Sequence, residues 1–186
     1  MAYRFGISGY DGSGKTHLRR AVCHHLLGDG KNTVKGTSVS DGIADYLFPK
    51  YGESVYKKPL SEELRSEFIR EGLLVLEKCG TSYWIDAAIA RTNDADYSVI
   101  DGIRYTWELP RLDYIIYIDN EPGFDMVSQA PQNRSYVPHL KLIREAADYV
   151  LPYRPSLSQQ NACLKALLTT FKTAATAAEY IKLTEV

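Results

Sequence analysis

Eight residues near the start constrain this chain more than the rest of its length: Gly9-Tyr10-Asp11-Gly12-Ser13-Gly14-Lys15-Thr16. They satisfy G-x-x-x-x-G-K-[ST], a loop whose backbone N–H groups wrap an anion. The flanking sequence fits that reading. Residues 3–8 (YRFGIS) form an apolar-rich run that reads as a buried strand meeting a loop at Gly9. From Lys15, the run KTHLRRAVCHHLLG puts Leu18, Val22, Leu26 and Leu27 on one helical face before Gly28 and Gly30 stop it. Strand, glycine-rich loop and helix together aim loop amides and a helix N-terminus at one anion. In such a site Gly9, Gly12, Ser13 and Gly14 supply the wrapping backbone, Lys15 reaches the β- and γ-phosphates of ATP, and the Thr16 hydroxyl ligates Mg²⁺. Asp11, inside the loop, is placed to accept a hydrogen bond from a sugar hydroxyl.

The remaining elements alternate. Thr33 to Val39 reads as a second strand followed by a helical turn from Asp41 to Phe48. Ser61 opens a helix running to Lys78, with Ser61 and Leu64 at capping spacing, and Tyr83 to Arg91 forms a further helix. Tyr97 to Ile100 and Tyr114 to Ile118 are short buried strands ending in Asp101 and Asp119. Residues 120–138 lose all periodicity and hold Pro122, Pro131 and Pro138, which predicts a lid-like loop. A helix from His139 to Ala147, a strand from Tyr149 to Leu151 and a helix from Ser156 onward complete the chain. The alternation predicts an α/β fold, a five-stranded parallel sheet sandwiched by helices, with the strand before the loop central and the 97–101 strand beside it. The whole of 1–186 reads as one domain, with 41–93 as a helical substrate-binding region.

Composition narrows the partners. A net charge of -1 removes the basic excess of a general nucleic-acid binder, and no apolar stretch is long enough for a membrane span. The expected setting is the cytoplasm and the expected partners are small molecules, with a homodimer as the one protein partner considered. Cys23, Cys79 and Cys163 are odd in number and far apart, so no disulfide framework or zinc spacing is visible.

A phosphate loop alone does not separate a kinase from an ATPase or GTPase. The chain lacks an N-K-x-D guanine-reading tetrapeptide and is short for a motor, which favours a compact kinase by elimination. Asp101, at a strand end beside the loop, suits the Mg²⁺ water shell or the acceptor oxygen, and Arg104 lies three residues on. Transfer between two phosphates gathers several negative charges and needs several guanidiniums. Candidates are Arg65, Arg70, Arg91, Arg104, Arg111, Arg134, Arg144 and Arg154.

Taken together these residues resemble the nucleoside monophosphate kinases among P-loop kinases, within them the phage-type deoxynucleoside monophosphate kinases related to dephospho-coenzyme A kinase. Thr37-Ser38-Val39-Ser40-Asp41-Gly42-Ile43 looks like the family's strand ending before a helix, and Phe68-Ile69-Arg70-Glu71-Gly72 with the later Trp84 looks like its substrate-side helix. Val99-Ile100-Asp101-Gly102-Ile103-Arg104-Tyr105 is similar to its strand end with an acid and an arginine. Thymidylate kinase is a second resemblance, through the acid-bearing loop and residues 112–119. The resemblance implies ATP-dependent phosphorylation of a deoxynucleoside monophosphate to the diphosphate. Lys15, Asp101, Arg104 and the lid residue Arg134 would be catalytic, and Thr16 and Asp101 would be on the metal side. Nucleotide contacts would extend to Asp11, His17 and Arg154, and substrate contacts to Asp11, Asp41, Arg70, Trp84, Asp101 and Arg104. Two alternatives stay open: a kinase for dephospho-coenzyme A or an alcohol, and an ATP-binding switch that transfers nothing.

Overall fold

A computed structural model describes residues 3–28, 30, 32–57, 60–119 and 135–152, with positions 158, 159, 162, 165 and 169 beyond them. Most of the expected lid, 120–134 with Arg134, and Arg154 lie outside the described residues, as does most of the helix expected from Ser156 onward.

Five strands, β1 (Tyr3–Gly9), β2 (Val34–Ser38), β3 (Tyr97–Ile103), β4 (Tyr114–Ile118) and β5 (Tyr149–Leu151), form one sheet in the order β2-β3-β1-β4-β5. Every pairing is parallel. The strand before the phosphate loop is therefore central with β3 beside it, as the sequence predicts. Parallel strands bury both faces, and the side chains sort by alternation. Phe5, Ile7, Val99, Ile116 and Ile118 meet Leu18, Val22 and Leu26 of α1 (Lys15–Leu26) on one face. Ile100, Ile103, Ile115 and Tyr117 meet helices on the other.

That second face is covered by α3 (Glu62–Cys79), α4 (Tyr83–Ala90) and α5 (Val137–Ala146), with α2 (Val39–Tyr51) beside them. Ser61 caps α3 by accepting from the Leu64 N–H at 3.2 Å, the contact its spacing predicts. α2 begins two residues earlier than the sequence suggests, because the Asp41 carboxylate accepts the Ser38 N–H at 2.8 Å and closes the first turn. Two 3-10 turns, Gly52–Tyr56 and Thr106–Arg111, carry no periodicity and are not visible in the sequence pattern. The last four residues of the expected lid also differ from expectation. Ser135 and Tyr136 form a turn and α5 starts at Val137, with Pro138 in its first turn, where proline is tolerated.

One irregularity positions the site. β1 and β3 pair in step from Tyr3 with Tyr97 to Ile7 with Asp101, then Ser8 pairs with Ile103, leaving Gly102 as an extra residue in β3. Gly102 has φ +83°, a conformation that only glycine adopts without penalty.

Candidate active site

At the carboxyl ends of the strands lies a crevice of about 450 Å³, the place where open α/β sheets take ligands. One end is the phosphate loop, represented by Asp11, Gly12, Gly14, Lys15, Thr16 and His17. Gly14 holds φ +88° at the start of α1, which leaves the first helical N–H groups facing the loop. The Lys15 ammonium donates to the carbonyls of Gly9 at 2.9 Å and Tyr10 at 2.5 Å. Burial lowers its pKa to about 8, the positive charge of Arg104 adds to this, and Asp11 and Asp101 oppose it. A lysine whose charge its burial disfavours gains most when phosphate oxygens arrive.

Asp11 gathers the opposite wall. Its Oδ1 accepts from Arg104 Nη2 at 3.0 Å, and its Oδ2 accepts from Arg65 Nη1 at 3.3 Å and from the Tyr136 hydroxyl at 2.9 Å. Those three donors come from β3's end, α3 and the turn before α5. The Arg104 guanidinium also lies over the Tyr136 ring, 4.6 Å from its centre. The sugar-hydroxyl role read for Asp11 from sequence thus competes with two guanidiniums and a phenol.

Asp101 is 2% exposed. Its Oδ2 lies 3.5 Å from Arg19 Nε, and Arg19 also comes within 3.9 Å of Asp41. Arg19, one turn after Lys15 on α1, thereby balances the buried acid. Asp41 caps α2 and lies beside Arg19, and it is not among the residues lining the crevice. Trp84 is buried, lines the crevice and donates its indole N–H to the Gly72 carbonyl at 2.9 Å. With Val39, Ile43, Phe68, Ile69 and Leu73 it makes the far wall apolar.

The arginines divide. Arg65 and Arg104 face the crevice. Arg70 pairs instead with Glu67 at 2.8 Å and Glu71 at 2.7 Å and does not line it. Five residues along a helix turn a side chain by roughly 140°, so Arg65 and Arg70 cannot share a face. Arg91, Arg111 and Arg144 pair with Asp45, Asp86 and Asp119. Gly9 and Ser13 shape the loop from behind: a Cβ on Gly9 would stand 2.8 Å from Ser13 Oγ and 2.9 Å from the Ile118 carbonyl. His17 lines the crevice with Nε2 buried and without a hydrogen-bond partner.

Glu108, Tyr136 and Arg19 had no assigned role in the sequence reading. Tyr105 to Glu108 is a capping spacing, and Lys15 to Arg19 is one helical turn, so both left a signal. Tyr136 left none. Glu108 is 4% exposed, and its Oε2 accepts the backbone N–H groups of Arg104 and Tyr105, each at 2.8 Å. Burial raises its pKa to about 7, against those two hydrogen bonds and the charge of Arg104.

The folded chain therefore keeps a proton on Glu108 that the unfolded chain has released above its ordinary 4.5. Stability from this group is greatest at low pH, falls between about pH 4.5 and 7 with a slope of at most about 1.4 kcal/mol per pH unit, and is level above. Glu67, whose pKa is lowered to about 2 chiefly by its hydrogen bond from Arg70, acts in the opposite sense and only below that window. Thermal melts at pH 5, 6, 7 and 8 should show this fall, and Glu108→Gln should flatten it. An equal slope in both proteins would rule out Glu108 as the source.

Among the described residues no group of three or more His, Cys, Asp or Glu side chains could hold a metal ion. The Thr16 hydroxyl and the Asp101 carboxylate nevertheless both line the crevice, an all-oxygen pair suited to an Mg²⁺ that keeps most of its waters and takes phosphate oxygens.

No protein-family model matches the chain, and no curated protein matches it by sequence. Among solved structures it is similar to shikimate kinase from Acinetobacter baumannii in complex with shikimate, with 13% identity and a TM-score of 0.49 over 94% of this chain and 95% of that one. Dephospho-CoA kinase from Campylobacter jejuni gives 13% and 0.49 over 94% and 100%. Shikimate kinase from Bacteroides thetaiotaomicron gives 13% and 0.43 over 91% and 98%.

Proposed function

We propose that this chain transfers the γ-phosphoryl group of ATP to the phosphate of a deoxynucleoside monophosphate, giving ADP and the diphosphate. The observation that supports this reading is the sharing of one crevice by a phosphate loop, a pair of guanidiniums and an apolar wall. Such a crevice suits two phosphates facing each other, one of them attached to a planar body that buries against Phe68, Ile69 and Trp84.

Catalysis of this kind is positioning and charge neutralisation, with little covalent work for the protein. The loop amides and Lys15 hold the donor's phosphates, and the Lys15 ammonium leaves the Gly9 and Tyr10 carbonyls for phosphate oxygens. Arg65 and Arg104 hold the acceptor phosphate in line with the transferring group. Glu108 fixes the backbone of Arg104, and the Arg19 guanidinium lies 3.5 Å from the Asp101 carboxylate beside the loop. Bound Mg²⁺ would neutralise phosphate charge, and Thr16 and Asp101 are the side chains that would hold it and its waters. The deoxy preference of the sugar rests on the sequence resemblance.

The test is ADP formation with each ribo- and deoxyribonucleoside monophosphate, dephospho-coenzyme A and shikimate as acceptors. A deoxynucleoside monophosphate should stimulate ADP release at least about 100-fold, the scale of a well-positioned acceptor. Stimulation by an alcohol alone would replace the acceptor assignment, and slow release with no acceptor dependence would identify a nucleotide-hydrolysing switch.

A further inference from the structure

We propose that Asp11 is a built-in occupant of the acceptor's anion position, which a doubly charged phosphate must displace in order to bind. The inference rests on the kinase reading of this crevice and adds how the site selects its acceptor. Arg104, Arg65 and Tyr136 converge on one carboxylate at 3.0, 3.3 and 2.9 Å, from three elements far apart in the chain. Three donors aimed at one point make an anion-binding site. A loop that itself binds phosphate gains nothing for that purpose from an acid, since the acid repels the donor's phosphates. Asp11 is useful toward the guanidiniums, which it holds together and partly neutralises while no acceptor is present.

Displacement sets a threshold. A singly charged carboxylate or a hydroxyl offers the guanidiniums no more than Asp11 already does, whereas a phosphomonoester brings a second charge and a third oxygen. Asp11 thus selects phosphomonoesters over carboxylates and alcohols by competition within the chain. Once displaced, the Asp11 carboxylate also gives up the Tyr136 hydroxyl.

The experiment is calorimetric titration of inorganic phosphate, with acetate as the singly charged comparison, into protein saturated with MgADP so that the loop is filled. If Asp11 holds the guanidiniums about nine-tenths of the time, removing its charge raises apparent phosphate affinity about ten-fold. Asp11→Asn is expected to give that gain and a smaller phosphate-over-acetate ratio, and Asp11→Ala provides the same charge removal should the amide disturb the loop. The gain should vanish in the Asp11→Asn, Arg65→Ala double variant, because only the acceptor-side anion touches Arg65. Unchanged or weaker phosphate binding in both single variants would overturn the proposal, since it would mean that Asp11 only positions the arginines. A gain that survives loss of Arg65 would overturn it too, by placing the anion on the loop. None of these titrations requires turnover, so failure of the kinase reading would appear separately, in the acceptor panel.

Discussion

Lys15→Ala is expected to lower phosphoryl transfer about 10³-fold while moving Tm by no more than a few degrees. The two halves of this expectation have one cause. The fold disfavours the charged form of Lys15, whose pKa burial pulls down to about 8, so the ammonium is held in place at some cost to stability. Its removal gives up two hydrogen bonds to loop carbonyls and relieves that penalty, which leaves stability nearly unchanged. Catalysis has no such offset, because the developing negative charge on the transferring group loses its nearest protein cation. Steady-state turnover and a thermal melt on the same sample are sufficient, and near-normal turnover would end the kinase hypothesis.

The second large effect separates arginines. Arg65→Ala and Arg104→Ala should each lower kcat/KM for the acceptor about 10²-fold, which corresponds to roughly 2.7 kcal/mol, with ADP affinity changed far less. Arg70→Ala should stay within about three-fold, because its guanidinium is half exposed and already committed to Glu67 and Glu71. If Arg70 proved as costly as Arg65, the acceptor phosphate would have to sit on the other side of α3. Equal losses for acceptor and ADP in the Arg65 and Arg104 variants would place both arginines on the donor.

The sequence displays some parts of this molecule and hides others. Short-range physics was readable: an apolar run meeting glycine at Gly9, a helical period from Leu18 to Leu26, a serine three residues before Leu64. All of these depend on neighbours within one or two turns of the chain, and β4 and β5 match their expected bounds for the same reason. The crevice was readable wherever a motif names its residue, as for Lys15, Thr16, Asp101 and Arg104, all of which line it. It was not readable where a role depends on long-range packing. Arg65 and Arg70 both stood in the same helical run, and only the rotation of α3 against the sheet puts one of them beside Asp11. Tyr136 reaches Asp11 across 125 positions of chain, and nothing local to residues 135–138 marks that contact. Glu108 was a midway case, since its capping spacing was visible but its burial required the 3-10 turn over Thr106–Arg111.

The extra residue in β3 has a consequence that can be put as parity. Along an unbroken strand, positions an even number apart point the same way and positions an odd number apart point oppositely. Asp101 and Arg104 are an odd number apart, yet both reach the crevice. Likewise Ile100 and Ile103 share one cluster, whereas Val99 lies in the cluster on the sheet's other side. Gly102 changes the count from odd to even: skipped by β1's pairing, it lets the chain cross to the other phase without breaking the sheet. The acid and the guanidinium are therefore co-facing because of a residue that contributes no side chain at all. Were Gly102 to take a regular place in the strand instead of bulging, Ile103 would leave its core cluster and Arg104 would turn away from the crevice.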